Sequence, residues 1–255
     1  MFNHHSITDS NRMLFVGDPH GRYEHIIQAI EAEPPAACVL VGDQCYDEPI
    51  DQLFAPIDGK TALHWIHGNH DTDRPGWYAN LFDSPWADRN LHGRVQAMAG
   101  VRVAGLGGVF RGGIWMPGEH PAYADRASWK RQHVSNKYRQ LERKHQSTIW
   151  PEDYDALAMK FADILVLHEA PSSHQHGYAA LDDLAEVLDV KLIVHGHHHQ
   201  QYTATLDSGV AVAGLGLAQL AWLDVDAFCA ANSADEVIAA LDFGMIARRG
   251  GGWLR

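Results

Sequence analysis

Gly68-Asn69-His70-Asp71, which follows the apolar run Leu63 to Ile66, is the stretch that decides how this chain is read. A short apolar run that stops at a glycine and opens into amide, imidazole and carboxylate groups reads as a buried strand delivering polar side chains at its carboxyl end. The same pattern recurs on both sides of it. Met13 to Val16 runs into Gly17-Asp18-Pro19-His20, Cys38 to Val41 into Gly42-Asp43, Ile164 to Leu167 into His168-Glu169, and Leu192 to Val194 toward Gly196-His197-His198-His199.

Helical spacing fills the intervals between these runs. Ile26, Ile27 and Ile30 form one stripe that Pro34-Pro35 ends, which makes the first two strands a β-α-β unit. A helix over Ala179 to Leu188, with Leu181, Leu184, Ala185 and Leu188 on one face, is a second crossover. The runs 202–206, 210–213 and 221–225 are predicted as antiparallel strands, followed by a helix from Ser233 to Leu241 with Ser233 as its N-cap. Alternating strands and helices predict an α/β fold, organised as one domain over 1–255 with an insertion at about 105–155. The insertion starts rich in glycine and carries Arg126, Lys130, Arg131, Lys137, Arg139, Arg143 and Lys144. We read that basic run as a solvated face and Trp115, Trp129 and Trp150 as loop packing.

Bulk properties exclude several classes. A net charge of -12 disfavours a protein that coats nucleic acid or an anionic membrane. No apolar run approaches the roughly 20 residues of a membrane helix. Residues 1–11 lack the basic start and apolar core of a secretory signal and are read as a loose leader. Three cysteines without C-x-x-C spacing argue against a disulfide framework or a thiolate zinc site and place the chain in a reducing cytoplasm. The sequence carries no sign of oligomeric state.

The 18 histidines matter through their placement. Carboxylate and imidazole without thiolate suit hard or borderline divalent ions such as manganese, iron, zinc, nickel or cobalt, of which manganese is taken first. Two such ions about 3.5–4 Å apart are a known solution for phosphate displacement. The ordered set D-x-H, G-D, G-N-H-D, lone H and G-H-x-H from Asp18 to His199 resembles the calcineurin-like metallophosphoesterases. That resemblance implies a layered sandwich of two mixed β-sheets flanked by helices. It also implies two divalent cations, the first held by Asp18, His20 and His199, the second by Asn69, His168 and His197, with Asp43 bridging. A hydroxide between the cations would attack a phosphomonoester or phosphodiester, while Asn69 and His70 contact the phosphate and His70 protonates the leaving oxygen.

Asp71 is the sequence candidate to orient His70. Related protein phosphatases carry an Asp followed by an Arg where this chain has Tyr46, with Asp47 one residue later, which leaves that partner open; the missing Arg, and Asp71 where those phosphatases have Glu, weigh against a phosphoserine or phosphothreonine substrate. Arg111, in Gly-Val-Phe-Arg-Gly-Gly, is a candidate phosphate clamp. His198 is read as a spacer pointing away from its neighbours by strand alternation, and His174 and His176 as a solvated loop. Two other functions compete with this reading. One is a nucleic-acid phosphodiesterase akin to RNA lariat debranching enzymes, supported only by the basic insertion. The other is a non-catalytic scaffold of the same fold, which retention of His70 disfavours.

Overall fold

Strand β1 (Arg12–Val16) explains why the apolar runs are unbroken: Met13 and Phe15 face one buried cluster while Leu14 and Val16 face another. A strand covered on both faces needs apolar residues at every position, so the period-two alternation disappears. The structure, a computed structural model, describes residues 11–133, 143–244, 246–247 and 253–254. Its other strands are β2 (Ala37–Val41), β3 (Ala62–Ile66), β4 (Arg94–Met98), β5 (Val101–Leu106), β6 (Ile164–Leu167), β7 (Leu192–His195), β8 (Tyr202–Thr205), β9 (Ala211–Gly214), β10 (Leu220–Asp224), β11 (Leu241–Phe243), β12 (Ile246–Ala247) and β13 (Trp253–Leu254). The helices are α1 (Glu24–Ala32), α2 (Ile50–Leu53), α3 (Pro75–Phe82), α4 (Arg126–Gln132), α5 (Pro151–Ala158), α6 (Ala179–Leu188), α7 (Val225–Ala230) and α8 (Ala234–Ala239).

Two mixed sheets result, a five-stranded one in the order β11-β10-β1-β2-β3 and a six-stranded one in the order β4-β5-β6-β7-β9-β8. Val39, Val41, Ile66, Ile164, Val166 and Val194 meet between them. On the outer faces, Ile26 and Ile30 of α1 cover Leu14 and Leu40. On the other side Leu181, Leu184 and Leu188 of α6 cover Leu165 and Ile193. The order is therefore helix, sheet, sheet, helix, as the family resemblance implies. Among the described residues, no helix is long and apolar enough to cross a membrane.

The carboxyl-terminal runs form strands as expected, with antiparallel pairings, but not in one antiparallel set. β8 and β9 do form a hairpin, but β9 runs parallel to β7, and β10 leaves for the other sheet to pair antiparallel with β1. Sequence spacing sees only the turn between two strands; it does not see which sheet has an open edge. The predicted helix over 233–241 is shorter, ending at Ala239 because Leu241 pairs with Leu223, while Ser233 caps it as expected by accepting from Glu236 N–H. Residues 1–10, including His4, His5 and Asp9 of the expected leader, and Lys137 and Arg139 of the basic run lie outside the described residues.

The interval after β5 packs onto the body of the fold. Trp129 and Trp150 are buried around Ile114 with Trp115 against them, as the packing reading expects. Arg126 is not a solvated charge: it makes a two-pronged ion pair with Asp153 at 2.8 and 2.6 Å and reaches Glu152 at 2.8 Å. His92 Nε2 adds a third contact to Asp153 at 3.1 Å. Burial alone would raise the Asp153 carboxyl, but the hydrogen bonds from His92 and Arg126 outweigh it and hold it below the usual carboxylate range.

A depressed folded-state value contributes stability that is complete above the unfolded value near 3.9 and is lost as pH falls below it. Asp153→Ala should therefore lower stability at pH 7 by about 2 kcal/mol, and its deficit relative to the parent should shrink below about pH 4. Thermal melts across pH check this; equal melting points at pH 7 would refute the ion-pair role.

Candidate metal centre

The strand ends β1, β2, β3, β6 and β7 deliver their loops to one place, and the glycines of the motifs are what let those loops close. A Cβ on Gly42 would come within 2.2 Å of His168 Nδ1, one on Gly68 within 2.1 Å of Asp43 Oδ1, and one on Gly196 within 2.6 Å of Asp18 Oδ2. Each motif glycine is thus required by the close approach of a side chain from a different loop. The residues that follow are also unusual. Asp18, His20, Asp43, His197 and His199 all have left-handed backbone, with φ of 37, 44, 50, 73 and 54°. Each such non-glycine residue costs on the order of 1–3 kcal/mol, so the surrounding fold must hold them there.

Two groups of metal-binding side chains come together, His20–Asp43–His199 and Asp43–His168–His197, each with donor atoms within 4.8 Å of one another. Asp43 belongs to both. Its Oδ2 is buried without a hydrogen-bond partner and lies 3.5 Å from His20 Nε2, while Oδ1 lies 3.4 Å from His168 Nε2. His20 Nε2 and His199 Nε2 stand 3.0 Å apart. His168 Nδ1 contacts the Val41 carbonyl at 3.0 Å, which turns Nε2 toward Asn69 Oδ1 at 3.2 Å. That carbonyl supplies the backing that orients a ligating imidazole. Carboxylate, imidazole and amide donors around an unpartnered buried oxygen fit the divalent cations that the sequence implies.

Asp18 lies just outside these groups. Both its oxygens accept from His197 N–H, at 2.9 and 3.1 Å, and its Oδ1 is 3.6 Å from His168 Nδ1. Burial, reinforced by Asp43, pushes Asp18 up to about 8, against the opposing pull of His168. Burial would lower His168, but Asp43 and Asp18 raise it to about 10. Burial and the neighbouring His168 lower His197 to about 3. Two buried carboxylates thus demand positive charge between them, and a divalent cation meets the same demand.

The residues around this cluster correct several expectations. Asp71 does not touch His70: its oxygens accept from Cys45 N–H and Gly68 N–H, both at 2.8 Å, and it is fully buried. His70 Nδ1 instead meets Asp73 Oδ2 at 2.7 Å, because the single 3-10 turn His70–Thr72 brings residue i+3 beneath the ring. Arg111 is half-buried, donates from Nη2 to Ser147 Oγ at 3.3 Å, and lies in the field of Asp73, Glu169 and Asp43. Ser147 Oγ also meets Thr72 Oγ1 at 2.7 Å, and Arg143 Nε donates to the Thr72 carbonyl at 3.1 Å, so the segment between β5 and α5 is docked on the Asn69–Thr72 loop.

His198 is not aimed away. Residues 196–199 form a bend, not a strand, so alternation does not apply; its ring lies 4.6 Å from that of His197 and stacks on His174 at 3.9 Å. His174 is buried in consequence, whereas His176 is exposed as expected. Asp73, Glu169, Ser147 and Cys45 escaped the sequence reading. Only Asp73 left a signal there, three residues after His70.

Comparison with known proteins agrees with this geometry. Residues 12–201 match the family described as calcineurin-like phosphoesterase. A Haemophilus influenzae protein described as uncharacterized is 37% identical over 213 residues, 82% of this chain and 92% of that one. A solved structure from Thermus thermophilus superposes with a TM-score of 0.56 at 16% identity, over 91% of this chain and 97% of that chain. The 5'-nucleotidase of Candida albicans superposes with a TM-score of 0.50 at 15% identity, over 96% of this chain and 52% of its own. The two structural likenesses establish shared fold.

Gly68→Ala should abolish stable metal binding, because the added methyl overlaps Asp43 and His168; metal content after gel filtration measures it, and parental content would refute the packing argument. Ligation needs a neutral His168, so metal uptake at pH 7 should release protons, and affinity should fall as pH drops from 8 to 6. Calorimetry in buffers of different ionisation enthalpy reads this directly; buffer-independent heats would contradict it.

Proposed function

The chain belongs to the calcineurin-like phosphoesterases, metal-dependent hydrolases of phosphoric esters, and from that membership we propose that it works with two divalent cations arranged around Asp43. The observation that carries this reading is the meeting of two ligand groups at one carboxylate. Asp18, His20 and His199 would hold one cation, and Asn69, His168 and His197 the other. Bound there, the cations would activate water and neutralise phosphate charge as Lewis acids. Manganese is our first assignment, and iron, zinc, nickel and cobalt suit the same thiolate-free donor set.

The chain's own residues account for the rest of the chemistry. Asn69 and Arg111 bind phosphate oxygens, and Arg111 reaches the site from the docked insertion with its charge partly stripped of water. His70 sits exposed at the rim with Nδ1 turned to Asp73, which leaves Nε2 to give a proton to the departing oxygen. Asp73 takes the positioning role first assigned to Asp71. Asp71 instead keeps the Gly68 and Cys45 loops together and so holds Asp43 and Asn69 in place. The substrate is a phosphomonoester or phosphodiester small enough to reach a site walled by the insertion. The unpaired state of Cys38, Cys45 and Cys229 supports a reducing compartment.

Burial of Trp129 and Trp150 and the pairing of Arg126 with Asp153 and Glu152 weaken the nucleic-acid reading, since these three side chains are not free to stack on a base or meet a phosphate.

Asp43→Asn should abolish hydrolysis of p-nitrophenyl phosphate and of bis-p-nitrophenyl phosphate and lower metal content; full activity in manganese-supplemented buffer would end the two-cation reading. Asp73→Asn should lower kcat by about tenfold or more while metal content stays parental. A parental kcat in that variant would remove Asp73 from the mechanism.

A further inference from the structure

A third cluster lies beside the two that share Asp43. Glu169, His197 and His198 place one donor atom each within 4.8 Å of one another. We propose that this cluster is an auxiliary divalent-cation site of zinc type, anchored by Glu169 and His198 and sharing His197 with the proposed catalytic pair. It rests on the two-cation reading only through that shared histidine.

Four observations point to a cation. Glu169 is a buried carboxylate, 4% exposed, with Oε2 accepting from Phe110 N–H at 3.4 Å and Oε1 from Ala170 N–H at 3.2 Å. Two long backbone contacts leave lone pairs unused, and a buried carboxylate is costly without a positive partner. Oε1 lies 3.9 Å from His198 Nε2 and 4.0 Å from His197 Nε2. Those gaps are too long for hydrogen bonds, yet shorter than the sum of two bonds of about 2.0–2.2 Å to a common zinc ion. His198 Nε2 is a buried nitrogen with no hydrogen-bond partner, although its ring is held in place by stacking. His174 lies flat against it at 3.9 Å with planes 12° apart, and His174 Nδ1 is itself held by His176 N–H at 3.2 Å.

The donor set decides which cation. Two imidazoles and one carboxylate are the ligand set of open tetrahedral zinc sites and lack the oxygen count that magnesium or calcium needs. Sharing His197 decides the consequence. A cation held by Glu169 and His198 draws His197 away from the second catalytic position, which keeps its other ligands and its cation but loses its geometry, so filling this site opposes hydrolysis while all three cations stay bound. The phosphoesterase then carries a built-in inhibitory zinc site one residue away from two of its proposed ligands.

The test uses the full chain, stripped of metal and titrated with Zn2+ alone against a chromophoric chelator, with metal content confirmed after gel filtration. The parent should bind three equivalents, whereas Glu169→Gln and His198→Gln should bind two, the third weakened by about tenfold or more. The glutamine at 169 keeps an acceptor for one of the Phe110 and Ala170 amides, and His198→Gln removes a side chain whose Nε2 has no hydrogen-bond partner, so one variant guards against misfolding of the other. With the cations of the proposed pair in place, excess Zn2+ should inhibit p-nitrophenyl phosphate hydrolysis in the parent and not in Glu169→Gln. A parent that saturates at two equivalents, or variants that keep a third, would overturn the proposal. A parent that binds one equivalent, lost in both variants, would uphold this site and overturn the two-cation reading instead.

Discussion

Two carboxylates buried where two sheets meet are the constraint on which the rest of this structure depends. Asp18 and Asp43 sit at the ends of neighbouring parallel strands with almost no access to water. Isolated, they would repel one another and lose their hydration, a penalty of several kcal/mol for each charge. The fold answers with His168 from the opposite sheet, set between them with its Nδ1 backed by the Val41 carbonyl. It also requires glycine at 42, 68 and 196, since any side chain there would occupy the space the carboxylates and His168 need.

The same constraint accounts for the backbone. Strand ends from two sheets approach at an angle, and the side chains that follow must turn back toward a common point. Left-handed conformations at Asp18, His20, Asp43, His197 and His199 make those turns within one or two residues. Short, strained loops are stiff, which suits a site whose donors must stay within a few tenths of an ångström of their working positions. The sandwich core beneath, with Val39, Val41, Val166 and Val194 packed between the sheets, is what holds the strain.

The segment between β5 and α5 behaves as part of the site rather than as an appendage. Its Ser147 and Arg143 are tied to the Asn69–Thr72 loop, its Arg111 lies in the field of the site's carboxylates, and its Trp129 and Trp150 are buried. An excess of basic residues in a sequence therefore says little about accessible charge. Arg126 is spent on Asp153 and Glu152, whereas Lys130 and Arg131 of the same helix are exposed.

Much of the fold was legible because it rests on local physics. Unbroken apolar runs of four or five residues that end in glycine read as strands buried on both faces, and the stripe at Leu181, Leu184, Ala185 and Leu188 reads as one face of a helix. The candidate ligands were legible for a related reason: a loop that must return a side chain to a crowded point needs glycine and a polar residue in fixed order, and that order is written in adjacent letters. The partner of His70 was not, because the choice between Asp71 and Asp73 depends on a single tight turn and on two distant amides that claim Asp71 first. Nor was the stacking of His174 on His198, or the departure of β10 to the other sheet. Each of these is a contact between residues far apart in the chain, and sequence order carries no distance across a fold; local periodicity determined which elements form, while only their packing decided which side chains meet.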